Sequence, residues 1–149
     1  MQISRKILRQ EIAARIHLIR GKRVMRDSDL AEIYGVTTKQ LNRAVTRSLE
    51  RFPEDFAFRL TLQEVINLRC QIGTSSLLHG GRRYLPNVFT EQGVAMLSSV
   101  LRSKEAAIIN IQIIRAFVAM REAISNSAEL SRKFEELEYR LGKHDDEIA

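Results

Sequence analysis

Between positions 27 and 47 the sequence combines polar and basic side chains with the spacing of two short packed helices. Ala31 is small enough to let two helices approach, Gly35 permits the bend between them, and Leu41 packs the second helix onto the first. The second helix then presents hydrogen-bond donors and cations: Thr37, Lys39, Gln40, Asn42, Arg43, Thr46 and Arg47. This pattern predicts a helix-turn-helix that reads DNA, although a plain helical hairpin with a polar outer face has the same spacing.

The polar side chains of this region divide by chemistry into base-reading and phosphate-binding groups. Arg pairs well with guanine, and Asn or Gln with adenine, so Lys39, Gln40, Asn42 and Arg43 are expected to select bases. Phosphate contacts supply affinity and register, and we assign them to cations of nearby turns: Arg20, Lys22, Arg23, Arg82 and Arg83. For the last two, which follow a Gly-Gly pair that exposes backbone N–H groups, the alternative is a solvated hairpin tip.

The positive charge of the chain is concentrated in its first third. The 149 residues carry 24 Lys+Arg and 18 Asp+Glu, a net charge of +6. Residues 1–51 have a net charge of +7, residues 52–124 of +2, and residues 125–149 of −3. Such a localised excess favours a polyanionic partner, most often nucleic acid, although a solvated basic face fits the charge equally well. No basic helix has the wide, aromatic-rich apolar face that binds an anionic membrane.

Candidate groups for catalysis or metal binding are few. One Cys and three scattered His exclude a disulfide framework and disfavour a structural zinc site. Cys70 is expected to be a half-buried structural residue and not a nucleophile. Glu54 and Asp55 are expected to form a turn with charges balanced by Arg51 and Arg59, in preference to a metal-dependent nuclease site. The sequence therefore predicts a protein that is not an enzyme and has no metal and no cofactor.

Periodicity, capping residues and turn residues predict an alternation of short helices and strands. Residues 2–15 are typical of a basic helix, and residues 16–25 of a β-hairpin that turns at Gly21-Lys22. Thr38 is expected to cap the second helix of the polar segment. The remaining predicted elements are a strand at 56–60, a helix at 61–72, a loop at 73–83, a strand at 84–89, a helix at 90–101 and a long helix from Ser103.

The last 25 residues alternate in charge and carry a repeating apolar pattern. Heptad spacing, which is typical of a coiled coil, joins Leu130, Phe134, Leu137, Leu141 and Ile148. The preceding segment, Ser103 to Ile124, is apolar nearly all round and has more apolar surface than a small monomer covers easily. We therefore expect a homodimer held by this helix and the heptad tail; the alternative is a core helix with a frayed end. The abrupt end of the heptads predicts that the natural chain is longer.

Five short blocks of sequence, in order, resemble a known family. They are Arg20-Gly-Lys-Arg-Val-Met25, Asp29-Leu-Ala-Glu-Ile-Tyr-Gly35, Arg51-Phe-Pro-Glu-Asp-Phe56, Gly80-Gly-Arg-Arg-Tyr84 and Phe89-Thr-Glu-Gln-Gly-Val-Ala-Met-Leu97. Together they resemble the KilA-N-related domain named after the N-terminal part of a phage open-reading-frame-six product. The resemblance implies a compact α+β DNA-binding domain of phage and prophage-encoded proteins, usually joined to a variable second module, and some relatives act as antirepressors. Here a heptad tail stands in place of that module.

These observations predict an α+β fold, mostly helical, with a helix-turn-helix, short β-hairpins and a C-terminal coiled-coil-like helix. Residues 1–124 are expected to form the KilA-N-like domain, with a basic helix at 1–15, and residues 125–149 the tail. The expected function is sequence-specific binding of double-stranded DNA as a phage or prophage-type transcriptional regulator. The alternative is an interaction module, such as an antirepressor, that binds another phage or host regulator. No segment resembles a signal peptide or a membrane span, so a cytoplasmic location is expected.

Overall fold

A computed structural model describes residues 5–72 and 85–148 of the chain. Its helices are α1 (Arg5–Ala14), α2 (Asp27–Tyr34), α3 (Thr38–Arg47), α4 (Leu62–Ile72), α5 (Glu91–Leu97) and α6 (Lys104–Ile148). Its strands are β1 (His17–Ile19), β2 (Lys22–Arg26), β3 (Ala57–Arg59) and β4 (Asn87–Thr90). A 3-10 turn at Leu49–Arg51 follows α3. These elements confirm the predicted α+β class, in which helices predominate.

In the described part of the chain the strands form one antiparallel sheet in the order β1-β2-β4-β3. Because side chains alternate along each strand, the sheet has two distinct faces. On one face, Val24 and Val88 pack with Val65 and Leu68 of α4 in a buried cluster. On the other face, the buried Phe89 packs edge-to-face against Phe52, which follows α3; the two ring centroids are 6.0 Å apart. The core therefore lies on both sides of β4.

The hairpin of β1 and β2 is present, but its turn lies one residue earlier than predicted. Ile19 pairs with Lys22, which makes Arg20 and Gly21 the two turn residues. Both have positive φ, 55° and 74° respectively, as a type I′ turn requires. The predicted Gly21-Lys22 turn is therefore wrong. Type I′ turns match the right-handed twist of the strands, and Gly21 supplies the freer of the two positive-φ positions.

Side-chain caps set the starts of the later helices where the sequence predicted them. Thr61 and Glu64 form a reciprocal capping box at the start of α4, with N···O distances of 3.2 and 2.8 Å. Thr90 Oγ1 accepts from the backbone N–H of Gly93 in α5, and Ser103 Oγ accepts from Ala106 in α6. Helix α5 ends at Leu97, earlier than predicted. The predicted loop at 73–83 lies outside the described residues.

By its contacts the chain divides into two units, Met1–Phe117 and Val118–Ala149. Within the first unit, α6 buries Ile113 and Phe117 in the core, whereas Ile108 and Ile111 are 56% and 50% exposed. Phe117 lies in the segment that was expected to hold a dimer, but it is a core residue of its own chain because it lies one helical turn from Ile113, on the same face.

A buried polar contact fixes α6 against two other helices of the first unit. Asn110 Nδ2 donates to the Tyr34 hydroxyl oxygen at 2.8 Å and to the Val94 carbonyl oxygen at 2.6 Å. Burial raises the pKa of Tyr34 to about 12, so the phenol stays neutral. Asn110, which interrupts an apolar stretch of sequence, therefore joins α6 to α2 and α5.

The second unit consists of the C-terminal part of α6, and four of its large apolar side chains form an exposed series. Leu130, Phe134, Leu137 and Leu141 are all more than half exposed. Ion pairs four residues apart, at 3.7 and 3.1 Å, join Lys133 to Glu129 and Arg140 to Glu136. Within residues 5–72 and 85–148, none of the helices combines the length and the hydropathy that crossing a bilayer requires.

Candidate nucleic-acid interface

Helices α2 and α3 pack against each other as the residue spacing predicts. Ala31 is 1% exposed, and Leu41 of α3 is fully buried. Gly35 ends α2 with a left-handed φ of 75°. The N–H groups of Gly35 and Val36 donate back to the carbonyl oxygens of Glu32 and Ala31, an arrangement that satisfies the last turn of the helix. Gly35 therefore forms the bend between the two helices, as predicted from the sequence.

The N-terminus of α3 differs from the prediction by one residue, and this gives Gln40 a role in the cap. The cap is Thr37, whose Oγ1 accepts from the Gln40 N–H at 3.0 Å. In return, Gln40 Oε1 accepts from the Thr37 N–H at 2.9 Å. This capping box engages the side-chain carbonyl that a bidentate contact with adenine needs. The base-selecting role of Gln40 stays a prediction, and the Thr-x-x-Gln spacing was the signal for its role in the cap.

A buried carboxylate holds α2, α3 and β4 together beneath the outer face of α3. Asp27 is fully buried, and its Oδ2 accepts from Asn42 Nδ2 at 2.8 Å and from the Asn87 backbone N–H at 3.3 Å. Its Oδ1 accepts from the Ser28 N–H at 2.8 Å. Asn87 Nδ2 in turn donates to Asn42 Oδ1 at 3.2 Å. We call these three side chains, Asp27, Asn42 and Asn87, the polar network.

The polar network gives Asn42 a structural role that the sequence did not predict. Both ends of its amide are engaged inside the protein, one by Asp27 and the other by Asn87. These two bonds tie the side chain to α2 and β4, whereas the second N–H of Nδ2 and the second lone pair of Oδ1 are not used in them, so the base-selecting role of Asn42 stays a prediction. Asn42 therefore positions α3 against the sheet, and its partners lie 15 and 45 residues away in the sequence.

A groove of about 980 Å³ runs along the exposed face of α3. Its lining combines α3 with single residues of α2, β3 and β4: Ser28, Thr38, Lys39, Asn42, Arg43, Thr46, Arg47, Arg59 and Asn87. Lys39, Arg43, Arg47 and Arg59 are cations, and no carboxylate is among the described residues that line the groove. We call these four side chains the groove cations. Across residues 5–72 and 85–148, none of the four side chains has an ion-pair partner.

Arg59 is the groove residue that the sequence analysis missed. It was assigned to balance Glu54 and Asp55, but it makes no ion pair with either. Instead, Arg59 pairs with Asn87 across β3 and β4, and this register places it on the sheet face beside α3. The alternation of the strand predicts that Arg59 and Phe58 point to opposite faces. The sequence does not say which face α3 packs against.

Thr46 also lines the groove, and its hydroxyl is already engaged. Thr46 Oγ1 donates to the carbonyl oxygen of Asn42 one turn earlier, at 2.8 Å. This back-bond to the helix is common for Thr within helices. Of the predicted base-reading residues, Lys39 and Arg43 therefore have the most available polar atoms, and Arg47 extends the same exposed row of α3.

The predicted phosphate clamps are not brought to the groove as a set. Arg20 Nε and Nη2 each donate to one carboxylate oxygen of Glu64 at 2.8 Å. The Arg20 guanidinium carbon, Cζ, lies 4.4 Å from the ring centroid of Phe58. The pairing with Arg20 lowers the pKa of Glu64 to about 2. Arg20 is thus engaged in joining the hairpin to α4, because Glu64 lies in the first turn of that helix.

The other predicted clamps lie elsewhere. Lys22 Nζ is 6.0 Å from the ring centroid of Phe58, so it lies on the sheet face that α4 covers, whereas Arg23 is half-buried on the opposite face. Neither lines the groove, and their phosphate role stays a prediction. Arg82 and Arg83 lie outside the described residues.

The groups considered for other chemistry are dispersed. Cys70 is exposed, not half-buried as predicted. In the part of the chain that the structure describes, no three His, Cys, Asp or Glu side chains are grouped to hold a metal ion. The Nε2 atom of His17 is buried and has no hydrogen-bond partner among the described residues, and desolvation together with the nearby Arg26 lowers the pKa of this side chain.

Comparison with known proteins places the groove within a recognised domain. A model of the ORF6N domain family matches residues 14–100, which is more than half of the chain. The chain therefore belongs to the ORF6N domain family, whose members are phage-type proteins. A search of curated proteins and a search of solved structures found no match. The matched segment contains every residue that lines the groove and ends before α6 begins.

Proposed function

We propose that this chain binds double-stranded DNA through the groove along α3, with sequence preference, as a phage or prophage-type transcriptional regulator of the KilA-N-related kind. The observation that carries the proposal is the set of four groove cations, contributed by α3 and β3, with no carboxylate among the described lining residues. Phosphate-binding surfaces are cationic, and the major groove of DNA admits an α-helix. The net charge of +7 on residues 1–51 supports the same partner.

Within this proposal the groove residues have different roles. Arg43 lies near the middle of the exposed face of α3 and is the first candidate for a bidentate contact with guanine. Lys39 and Arg47 extend the row on either side of it. Arg59 lies on a separate element and contacts the phosphate backbone beside the helix, which fixes register but carries no sequence information. The polar network holds α3 at the angle that lets both elements reach one duplex.

Binding to duplex DNA is expected to weaken steeply as salt increases. If the four groove cations each neutralise one phosphate, the logarithm of the association constant falls with the logarithm of salt concentration with a slope of about −4 for one copy. Fluorescence anisotropy with a random 20-base-pair duplex, titrated across a salt series, measures this slope. Absence of binding at low salt contradicts the proposal and leaves an acidic protein surface, as for an antirepressor, as the partner of the groove.

Replacement of Arg43 and of Arg59 by alanine is expected to have different consequences. Arg43→Ala relaxes sequence preference, because a bidentate base contact contributes about 1–3 kcal/mol of discrimination. Arg59→Ala weakens binding to all duplex sequences about equally, and it makes the salt dependence of the association constant shallower by about 1 in slope. Selection from a random duplex pool, followed by affinity measurements on preferred and scrambled duplexes, separates the two effects.

The matched control for these variants is Arg115→Ala. It removes the same charge from an exposed position of α6 that does not line the groove. The DNA affinity of this variant should stay within about twofold of that of the unmodified chain, because a surface cation away from the ligand contributes little to binding. Equal losses for Arg43→Ala, Arg59→Ala and Arg115→Ala would show that net charge, and not the groove, determines binding.

A further inference from the structure

The exposed apolar residues of the second unit form a narrow stripe along one side of α6. Leu130, Phe134, Leu137 and Leu141 are 69%, 62%, 54% and 58% exposed, and they follow one another at spacings of four, three and four residues. In heptad notation Leu130 and Leu137 occupy d positions, and Phe134 and Leu141 occupy a positions. A stripe of two positions per heptad has the width that one partner helix covers. We call it the seam.

The charges that flank the seam select the partner and its direction. Lys133 and Arg140 occupy g positions, whereas Glu138 occupies an e position. When two copies run parallel and in register, each g residue faces the e residue of the next heptad on the other chain. Lys133 then faces Glu138 of the second copy. In an antiparallel pair, g faces g and e faces e, so that like charges would be opposed.

Ion pairs within the helix hold the flanking cations in place. Lys133 and Arg140 pair with Glu129 and Glu136, one turn earlier and at c positions, at 3.7 and 3.1 Å. These contacts keep the two cations beside the seam while their other donors remain available to a facing carboxylate. A hollow lined by Leu130, Ser131, Phe134 and Glu135 lies on the other flank of the seam and has room for a side chain from a second helix.

We propose that residues 118–148 pair with the same segment of a second copy of this chain as a parallel, in-register, two-stranded coiled coil. The apolar seam supplies the attraction, and the pairing of a cationic g position with an acidic e position selects the parallel direction. The proposal does not depend on DNA binding, since it uses only residues that lie outside the matched ORF6N domain.

Sedimentation equilibrium of the full chain tests the pairing. We expect a mass that rises with micromolar concentration toward twice 17.1 kDa. Lys133→Glu places like charges opposite each other at both symmetry-related sites and should raise the dimer dissociation constant about tenfold. Adding Glu138→Lys to the same chain reverses both partners and should restore the original constant. This rescue separates the interhelical pair from the intrahelical pair with Glu129, which the second substitution does not repair.

The control for charge alone is Arg132→Glu. Arg132 precedes Lys133 but occupies an f position on the outer side of the helix, so its reversal should leave the dissociation constant unchanged. A chain that stays monomeric at all concentrations overturns the proposal. The proposal is also overturned if Arg132→Glu raises the dimer dissociation constant as much as Lys133→Glu does. It is overturned as well if the double variant does not regain the original dissociation constant.

Cysteine cross-linking tests the direction. In a Cys70→Ser background, which removes the exposed native thiol, Ser127→Cys places a thiol at an a position at the start of the seam. Parallel, in-register helices bring the two position-127 sulfurs together, so a disulfide-linked dimer should form on oxidation at low micromolar concentration. In the same background, Arg132→Cys places the thiol on the outer side of the helix, so little disulfide-linked dimer should form. The absence of cross-linking at position 127, in a chain that sediments as a dimer, overturns the parallel arrangement.

Discussion

Gly93→Ala should lower the free energy of unfolding by about 3 kcal/mol or more, one of the largest losses available from a single added methyl group. A Cβ atom at position 93 would lie only 1.9 Å from the carbonyl oxygen of Phe56. That oxygen cannot retreat, because it accepts from the backbone N–H of Thr90 at 3.0 Å and from Thr90 Oγ1 at 3.2 Å. Helix α5 would have to move away from β3 and lose the Thr90 cap.

Urea unfolding followed by circular dichroism measures this loss. The matched control is Gly142→Ala, which adds the same methyl group to an exposed helical position with no atom within 4 Å. This control should leave stability unchanged or raise it slightly, because alanine favours helix over glycine by about 1 kcal/mol. A Gly93→Ala chain as stable as the unmodified protein would contradict the close approach of α5 to Phe56.

Asp27→Ala is expected to lower the free energy of unfolding by about 3 kcal/mol. The substitution removes the acceptor for Asn42 Nδ2 and for the backbone N–H groups of Ser28 and Asn87. Each donor left buried without a partner costs about 1–3 kcal/mol, partly offset where water enters. Because α3 also loses its tie to β4, DNA affinity should fall at temperatures where the domain remains folded.

The comparison for this variant is Asp55→Ala, which removes an exposed carboxylate and should change stability by less than about 0.5 kcal/mol. Thermal unfolding and anisotropy on the same samples report stability and DNA affinity separately. If Asp27→Ala unfolds like Asp55→Ala, the polar network does not hold the two helices to the sheet.

Elements whose signals are local were predicted well. The Thr61 and Thr90 caps, the Gly35 bend and the buried face of α3 follow from residues within a few positions of one another, which is the range over which capping and periodicity act. Two of the local errors are one-residue shifts. The hairpin turns at Arg20-Gly21, and the cap of α3 is Thr37, because adjacent Thr residues offer two possible starts.

The long-range contacts of the candidate site could not be predicted in this way. Asn42 and Arg20 were assigned to DNA because their side chains can bind it, yet each is engaged by a residue 15 or more positions away, Asp27 and Glu64 respectively. Arg59 was missed for the converse reason, since its place beside α3 depends on the register of β3 against β4. Periodicity shows which residues share a face, but only the tertiary fold shows what packs against it.

For the DNA binding proposed above, the polar network also limits how the domain could be re-targeted to a new sequence. A helix grafted whole into the place of α3 would replace Asn42 and leave Asp27 and Asn87 without their shared partner. Redesign can instead vary Lys39, Arg43 and Arg47 as an interchangeable surface and keep position 42 as Asn. In that proposal, Lys39, Arg43 and Arg47 are the residues that can be exchanged for a new specificity, whereas Asn42 holds α3 against the sheet.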